Sequence, residues 1–229
     1  DYGAMIVAPI SKLFFNDLKY SLYETYYIKP NVNFTLGYAV SNIGDEISYN
    51  DDFQKDPLSR TERLGYTFDF GFDTIIKDTE INLFTYSFTA EVEDILIKQT
   101  TQDGILGGKF DGYQSLLGDI DIWNNLVMLK TSDKIIVHKG HTLNLLETFT
   151  ITSGSFKGKG YSTNVGTTGY GLSSEGIFKV LGNSIDNPTL KYFVKHFIIE
   201  YYDITIFKNY NGFDTDMQGI SLHMKNFEL

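Results

Sequence analysis

Val32–Ser41 and Leu64–Asp73 alternate apolar and polar side chains without a slip. Val32, Phe34, Leu36, Tyr38 and Val40 fall on one side of the first segment; Asn33, Thr35, Gly37, Ala39 and Ser41 fall on the other. In the second, Tyr66, Phe68, Phe70 and Phe72 oppose Gly65, Thr67, Asp69, Gly71 and Asp73. A period of two belongs to a β-strand with unlike faces. Phe84–Glu93 repeats the pattern, with Phe84, Tyr86, Phe88, Ala90 and Val92 against Thr85, Ser87, Thr89, Glu91 and Glu93. Aromatics on one face, with glycine, hydroxyl and carboxylate on the other, suit a wall with hydrocarbon outside and water inside, as in a transmembrane β-barrel.

Along the chain, strands are predicted near 3–9, 17–28, 31–42, 61–75, 79–98, 117–130, 134–153, 170–182, 192–208 and 217–228. Several are long for a soluble sandwich. In 143–152, Leu143, Leu145, Phe149 and Ile151 share a face around Glu147, and at Phe197-Ile198-Ile199 the alternation breaks. Breaks at Asn42–Asp45, Asn50–Asp52, Gly104–Gly108, Gly154–Gly160 and Asn209–Gly212 predict turns. Pro9, Pro30, Pro57 and Pro188 are expected at strand edges, and helix signals are poor throughout. The expected fold is all-β, an antiparallel transmembrane β-barrel of roughly ten or more strands. It would form one domain over 1–229, or the ordered part of a longer chain. The alternative is a soluble β-sandwich or jelly roll binding carbohydrate or protein, and a lipocalin-type barrel is a third possibility. Both soluble folds enclose Phe34, Leu36, Tyr38, Phe68, Phe70 and Phe72, whereas the membrane barrel exposes them.

Composition narrows the chemistry. The 229 residues include 16 Tyr, 18 Phe and 21 Gly, which suits strands, tight turns and aromatic girdles. A mean hydropathy of −0.16 is compatible with a barrel, because only alternate residues would face lipid. There is no apolar run of about 18 residues, so no membrane-spanning helix is expected. Without cysteine, disulfides, thiolate metal sites and a Cys nucleophile are excluded. A net charge of −10 with no basic stripe argues against nucleic-acid binding, and any passage through the interior would favour cations. The chain begins at Asp1 without a leader, as a processed export product or the interior of a longer protein does.

The candidate sites are sparse. His138-Lys139-Gly140-His141 reads as a polar hairpin tip, where the two rings diverge and do not share a metal. Asp119/Asp121 and Asp214/Asp216 are the places where a cation could sit, although the EF-hand pattern fails at both. Gly158-Lys159-Gly160 and Gly166–Gly171 lack the strand–loop–helix context and the Gly-Lys-Ser/Thr of a phosphate loop. Glu91 and Glu93 share a strand face and are expected to line the interior, not to act as an acid/base pair. With no nucleophile elbow either, no enzyme, metal centre or cofactor is expected. Trp123 beside Asp121 and Asn124 is expected as an interface anchor, with a buried core position as the alternative.

Phe34-Thr35-Leu36-Gly37-Tyr38-Ala39-Val40-Ser41-Asn42-Ile43-Gly44-Asp45-Glu46-Ile47-Ser48-Tyr49, then Asp56-Pro57-Leu58 and Arg63-Leu64-Gly65-Tyr66, resembles a known run. It is the G-x-A-x-S-N-x-G-x-x-I-S-Y segment of PorV-type outer-membrane barrels of the Bacteroidota, which are similar to the FadL class. The Pro57-Leu58 order is reversed relative to that family, and the final strand shifts frame to reach Phe227 and Leu229. The resemblance implies a bacterial outer-membrane barrel that passes a solute or hydrophobic ligand, or serves as an accessory or anchor in a type IX secretion-like assembly. It carries no catalytic residues. The lipid bilayer and other envelope proteins are then the expected partners. Val32, Phe34, Leu36, Tyr38, Tyr66, Phe68, Phe70, Phe72, Phe84, Tyr86 and Phe88 would face lipid. Asn33, Thr35, Thr67, Asp69, Thr85, Ser87, Glu91 and Glu93 would face the lumen.

Overall fold

A period of two leaves each strand with one face that water does not suit, and pairing aligns those faces into rows. The computed structural model describes residues 1–15, 18–23, 26–44, 47–48, 55–76, 79–100, 109–182, 185–208, 210 and 212–225. Its first half contains β1 (Tyr2–Ala8), α1 (Ile10–Phe14), β2 (Tyr20–Tyr23), β3 (Tyr26–Ser41), β4 (Ile47–Ser48), β5 (Lys55–Asp56), β6 (Thr61–Ile76), β7 (Thr79–Ile95), β8 (Ile97–Thr100) and β9 (Lys109–Tyr113). A π-helical turn (Ile122–Val127) precedes β10 (Ile135–Leu145), β11 (Phe149–Gly158) and β12 (Tyr161–Ser173). Then come α2 (Glu175–Gly182), α3 (Pro188–His196), β13 (Phe197–Lys208) and β14 (Thr215–Met224). No helix is long and apolar enough to cross a membrane, which says nothing about strands.

The long strands pair antiparallel, β1–β3–β6–β7–β10–β11–β12–β13–β14, with β2 also on β3. Register carries the sequence pattern across the sheet: Val32, Phe70, Tyr86, Leu143, Ile151 and Tyr170 stand in one cross-strand row. The sheet is not closed into a barrel, which corrects the expectation of closure. β1 pairs with Phe34–Val40 and β2 with Tyr26–Ile28, so both occupy the same side of β3. The path from edge to edge therefore has nine strand positions of alternating direction, both edges included. β1 and β14 consequently run the same way, and an antiparallel bond between them is impossible.

The polar face is nevertheless strongly concave. Asn31 of β3, Asn144 of β10 and Glu200 of β13 line a single cavity of about 410 Å³, together with Glu175 and Lys179 of α2. The opposite face carries one buried hydrophobic cluster among the described residues. There Ile120 and Leu126 lie over Ala90, Val92, Ile135 and Val137, with Leu64, Tyr66, Phe88 and Leu129 packed around them.

Several strand expectations are corrected. The 117–130 stretch is a loop and π-helical turn, because Asp121 caps it by accepting from the Asn124 amide at 3.0 Å. The 134–153 stretch is a hairpin, not one strand; Leu143 and Leu145 share a face with Ile151 and Phe149 because they are cross-strand partners. The 170–182 and 192–208 stretches each divide into a strand and a helix. His138–His141 lies inside β10, not at a hairpin tip. Pro30 is also inside a strand, opposite Phe72. The breaks at Asn50–Asp52 and Gly104–Gly108, and Phe227 and Leu229, lie outside the described residues.

Candidate functional site

The aromatic face is the first of two candidate surfaces. Phe34 stacks on Tyr66 at 6.0 Å, and Phe70, Phe72 and Phe84 contact one another at 5.4–6.1 Å. Such contacts each contribute about 0.5–1.5 kcal/mol beyond area burial. Phe68 and Phe70 are each 39% exposed, so the rings pack sideways on one another while their outer sides remain open. The eleven residues expected to face lipid all lie on this face.

The course of this apolar belt is diagonal. On β1 it comprises Tyr2, Ala4 and Ile6; on β3, Val32 to Tyr38; on β6, Tyr66 to Phe72; on β7, Phe84 to Phe88. It continues through Leu143 and Leu145, Phe149 and Ile151, Tyr170 and Leu172, to Ile220, Leu222 and Met224 on β14. Ile6 stands opposite Leu36, whereas the row through Leu222 lies about eight residues further along, eight strand steps away. With about 3.3 Å per residue and about 4.8 Å between strands, that drift is a tilt of about 35°. Where the rows leave the belt the same face turns polar, at Ser153, Thr168, Thr205 and Asp216.

The concave face holds Asn33, Thr35, Thr67, Asp69, Thr85, Ser87, Glu91 and Glu93. It is a hydrogen-bonded lining. Thr67 and Thr89 hydroxyls meet at 3.0 Å; Asn82 donates to Asp73 at 2.7 Å, and Thr85 donates to Asn82 at 3.0 Å. A groove of about 580 Å³ runs over Gly37, Gly65 and Thr67 toward Arg63 and Glu91. Arg63 pairs with Glu93 at 2.8 Å and lies 3.9 Å from Glu91. His138 Nε2 is 3.6 Å from Glu93. Glu91, Glu93 and His138 are the one trio of potential metal ligands drawn together among the described residues, and the Arg63 guanidinium already neutralises its carboxylates. Sequence spacing had separated His138 from Glu91; the β7–β10 register makes them direct partners.

A second charged group lines the 410 Å³ cavity. Leu146 and Glu147 form the β10–β11 turn with φ of 55° and 51°, a left-handed conformation that costs non-glycine residues free energy. The Glu147 carboxylate holds the turn by accepting from the Asn82 amide at 3.0 Å and by pairing with Lys179. Gly176 lets α2 press onto this turn, since a Cβ there would collide with the Leu146 carbonyl oxygen. Glu175 pairs with Lys225 at 3.0 Å. Burial pushes the Glu175 carboxyl up, but Lys225 and Lys179 outweigh it and hold it below its ordinary value of 4.5. Burial depresses Lys179, and Glu147 and Glu175 more than reverse that, raising it above 10.5.

The carboxylates considered for a cation are engaged within the protein. Asp119 accepts from Lys134 at 3.1 Å, which lowers its pKa, and Asp121 accepts from both Asn124 nitrogens. Asp216 accepts from Thr205 at 2.8 Å. Trp123 is on the π-helical turn and 65% exposed, so the core alternative is corrected. No protein-family model matches the chain, and no curated protein matches it.

Proposed function

We propose that this chain is wall material of a bacterial outer-membrane β-barrel, with its aromatic belt in lipid and its polar face inward. Its role would be that of an accessory or anchor subunit in an envelope assembly. The observation that carries the reading is the diagonal belt. A flat slab of hydrocarbon meets tilted strands at successively shifted positions, and a tilt of about 35° falls in the range of membrane barrels. A soluble sandwich would cover Phe68 and Phe70 with a second sheet about 10 Å away, and among the described residues no such layer lies over them. The alternation of exposed aromatics with a glycine, hydroxyl and carboxylate lining supports the same assignment. So does the resemblance of 34–66 to PorV-type barrels.

The interior favours an anchor over an open channel. Arg63 with Glu93, and α2 with its Lys179–Glu147 pair, occupy space that a conducting pore would leave to water. The test is flotation of the protein with phosphatidylcholine vesicles after an alkaline wash, followed by conductance across a planar bilayer. Flotation without steady conductance is expected. Monodisperse protein in detergent-free buffer would overturn the membrane reading, and a steady cation-selective conductance would replace the anchor with a channel.

A further inference from the structure

We infer that the segment between β9 and β10 is a wedge lodged in the headgroup layer of a lipid bilayer, with Trp123 at its centre; this rests on the membrane reading above. Two buried carboxylates tie it to the wall. Glu62 accepts from the Leu117 amide at 2.8 Å and Asp94 from the Asp119 amide at 2.7 Å. Both carboxylates are almost wholly enclosed, at 0% and 1% exposed. Burying carboxylates is costly unless they are hydrogen-bonded, so the two loop amides offset part of that cost although Glu62 Oε2 stays unpartnered. Asn125 completes the fastening: its side chain accepts from the Asp121 amide at 2.8 Å and donates to the Lys130 carbonyl at 2.9 Å.

The fastening presents apolar groups outward. The π-helical turn sets Ile122, Trp123, Val127 and Met128 outward and Asn125 and Leu126 against the wall. The Met128 amide donates to the Trp123 carbonyl at 2.9 Å, the bond that defines this winding. Those four side chains are between 47% and 65% exposed, while Leu126 is 4% exposed against the wall. The wedge borders the aromatic belt directly, since Leu126 and Ile120 share a cluster with the belt residues Tyr66 and Phe88. Its other margin is polar, with Asp121 and Asn124 hydrogen-bonded to each other and Asp119 to Lys134. An apolar side continuous with the belt, a polar margin beyond it and an indole between them match the headgroup layer, which is apolar below and wet above.

Trp123 is the only tryptophan, so its fluorescence reports this segment alone. The full chain is reconstituted in vesicles of phosphatidylcholine brominated near the headgroup or at the chain end. The expected result is blue-shifted emission with strong loss of intensity from shallow bromines and a smaller loss from deep ones. In Leu126→Ala, the shallow quenching is expected to fall while the protein still floats with the vesicles. Protein that floats with Trp123 unquenched, or quenched more by deep bromines, overturns the wedge and leaves the barrel wall standing. Protein that does not float overturns both.

Discussion

Phe68 and Ser153 stand in the same row of the sheet and on the same face, yet only Phe68 belongs to the belt. A lysine at each position therefore separates a belt set by a bilayer from one set by the rows. Phe68→Lys is expected to cost about 2–4 kcal/mol in vesicles, the penalty for a cation at depth. Ser153→Lys should stay within about 0.5 kcal/mol. Denaturant unfolding of the two variants in vesicles is the measurement, and equal costs would sink the diagonal reading. At this scale the sequence was informative wherever alternation was clean, because a period of two dictates sidedness. It was silent on Glu62 and Asp94, which lie on the apolar face opposite each other. The loop folded over them supplies the Leu117 and Asp119 amides, which lie 55 and 25 residues away in sequence.

Among the elements, α2 makes the clearest prediction. Glu175 has a lowered pKa, so its contribution is complete above about 4.5 and is lost as pH falls through the lower folded value. Lys179 has a raised pKa, so its contribution is complete below about 10.5 and is lost as pH rises through the higher folded value. Protection factors for amide exchange over Glu175–Gly182, taken against the intrinsic rate at each pH, should thus be highest between these limits and fall on either side; a flat protection profile would refute the clamp. Leu126→Ala is expected to destabilise the chain by about 2–4 kcal/mol, read from denaturant melts, by emptying the site under the wedge. The helices were only partly legible. Asn187-Pro188-Thr189 is a start signal, and Asn187 does accept from the Thr189 and Leu190 amides. The Leu146–Glu147 turn carries none of the glycine or asparagine that its backbone prefers, so the hairpin read as one strand. Lys179 and Asn82, distant in sequence, hold it in place.

For the whole molecule, parity of the strands is decisive. β1 and β14 run the same way and are not bonded to each other. Since the chain has no native cysteine, introduced pairs report cleanly on this seam. Tyr201→Cys with Ile220→Cys, register partners on β13 and β14, should form a disulfide under mild oxidation. Ala4→Cys with Ile220→Cys should not, and its formation in high yield on a non-reducing gel would mean a parallel seam. Exposed Tyr2 and Ile6 on β1, and Ile220, Leu222 and Met224 on β14, extend the belt to the limits of the sheet.

Residue type and a period of two were enough to set the strand faces and the segregation of aromatic from polar side chains, and residue type alone excludes cysteine chemistry. Long-range pairing set the remainder. Register turned separate apolar stripes into a diagonal belt and placed His138 beside Glu91, while strand parity left the edges apart. Those depend on contacts between residues far apart in the chain, where local pattern carries no information on which partner wins.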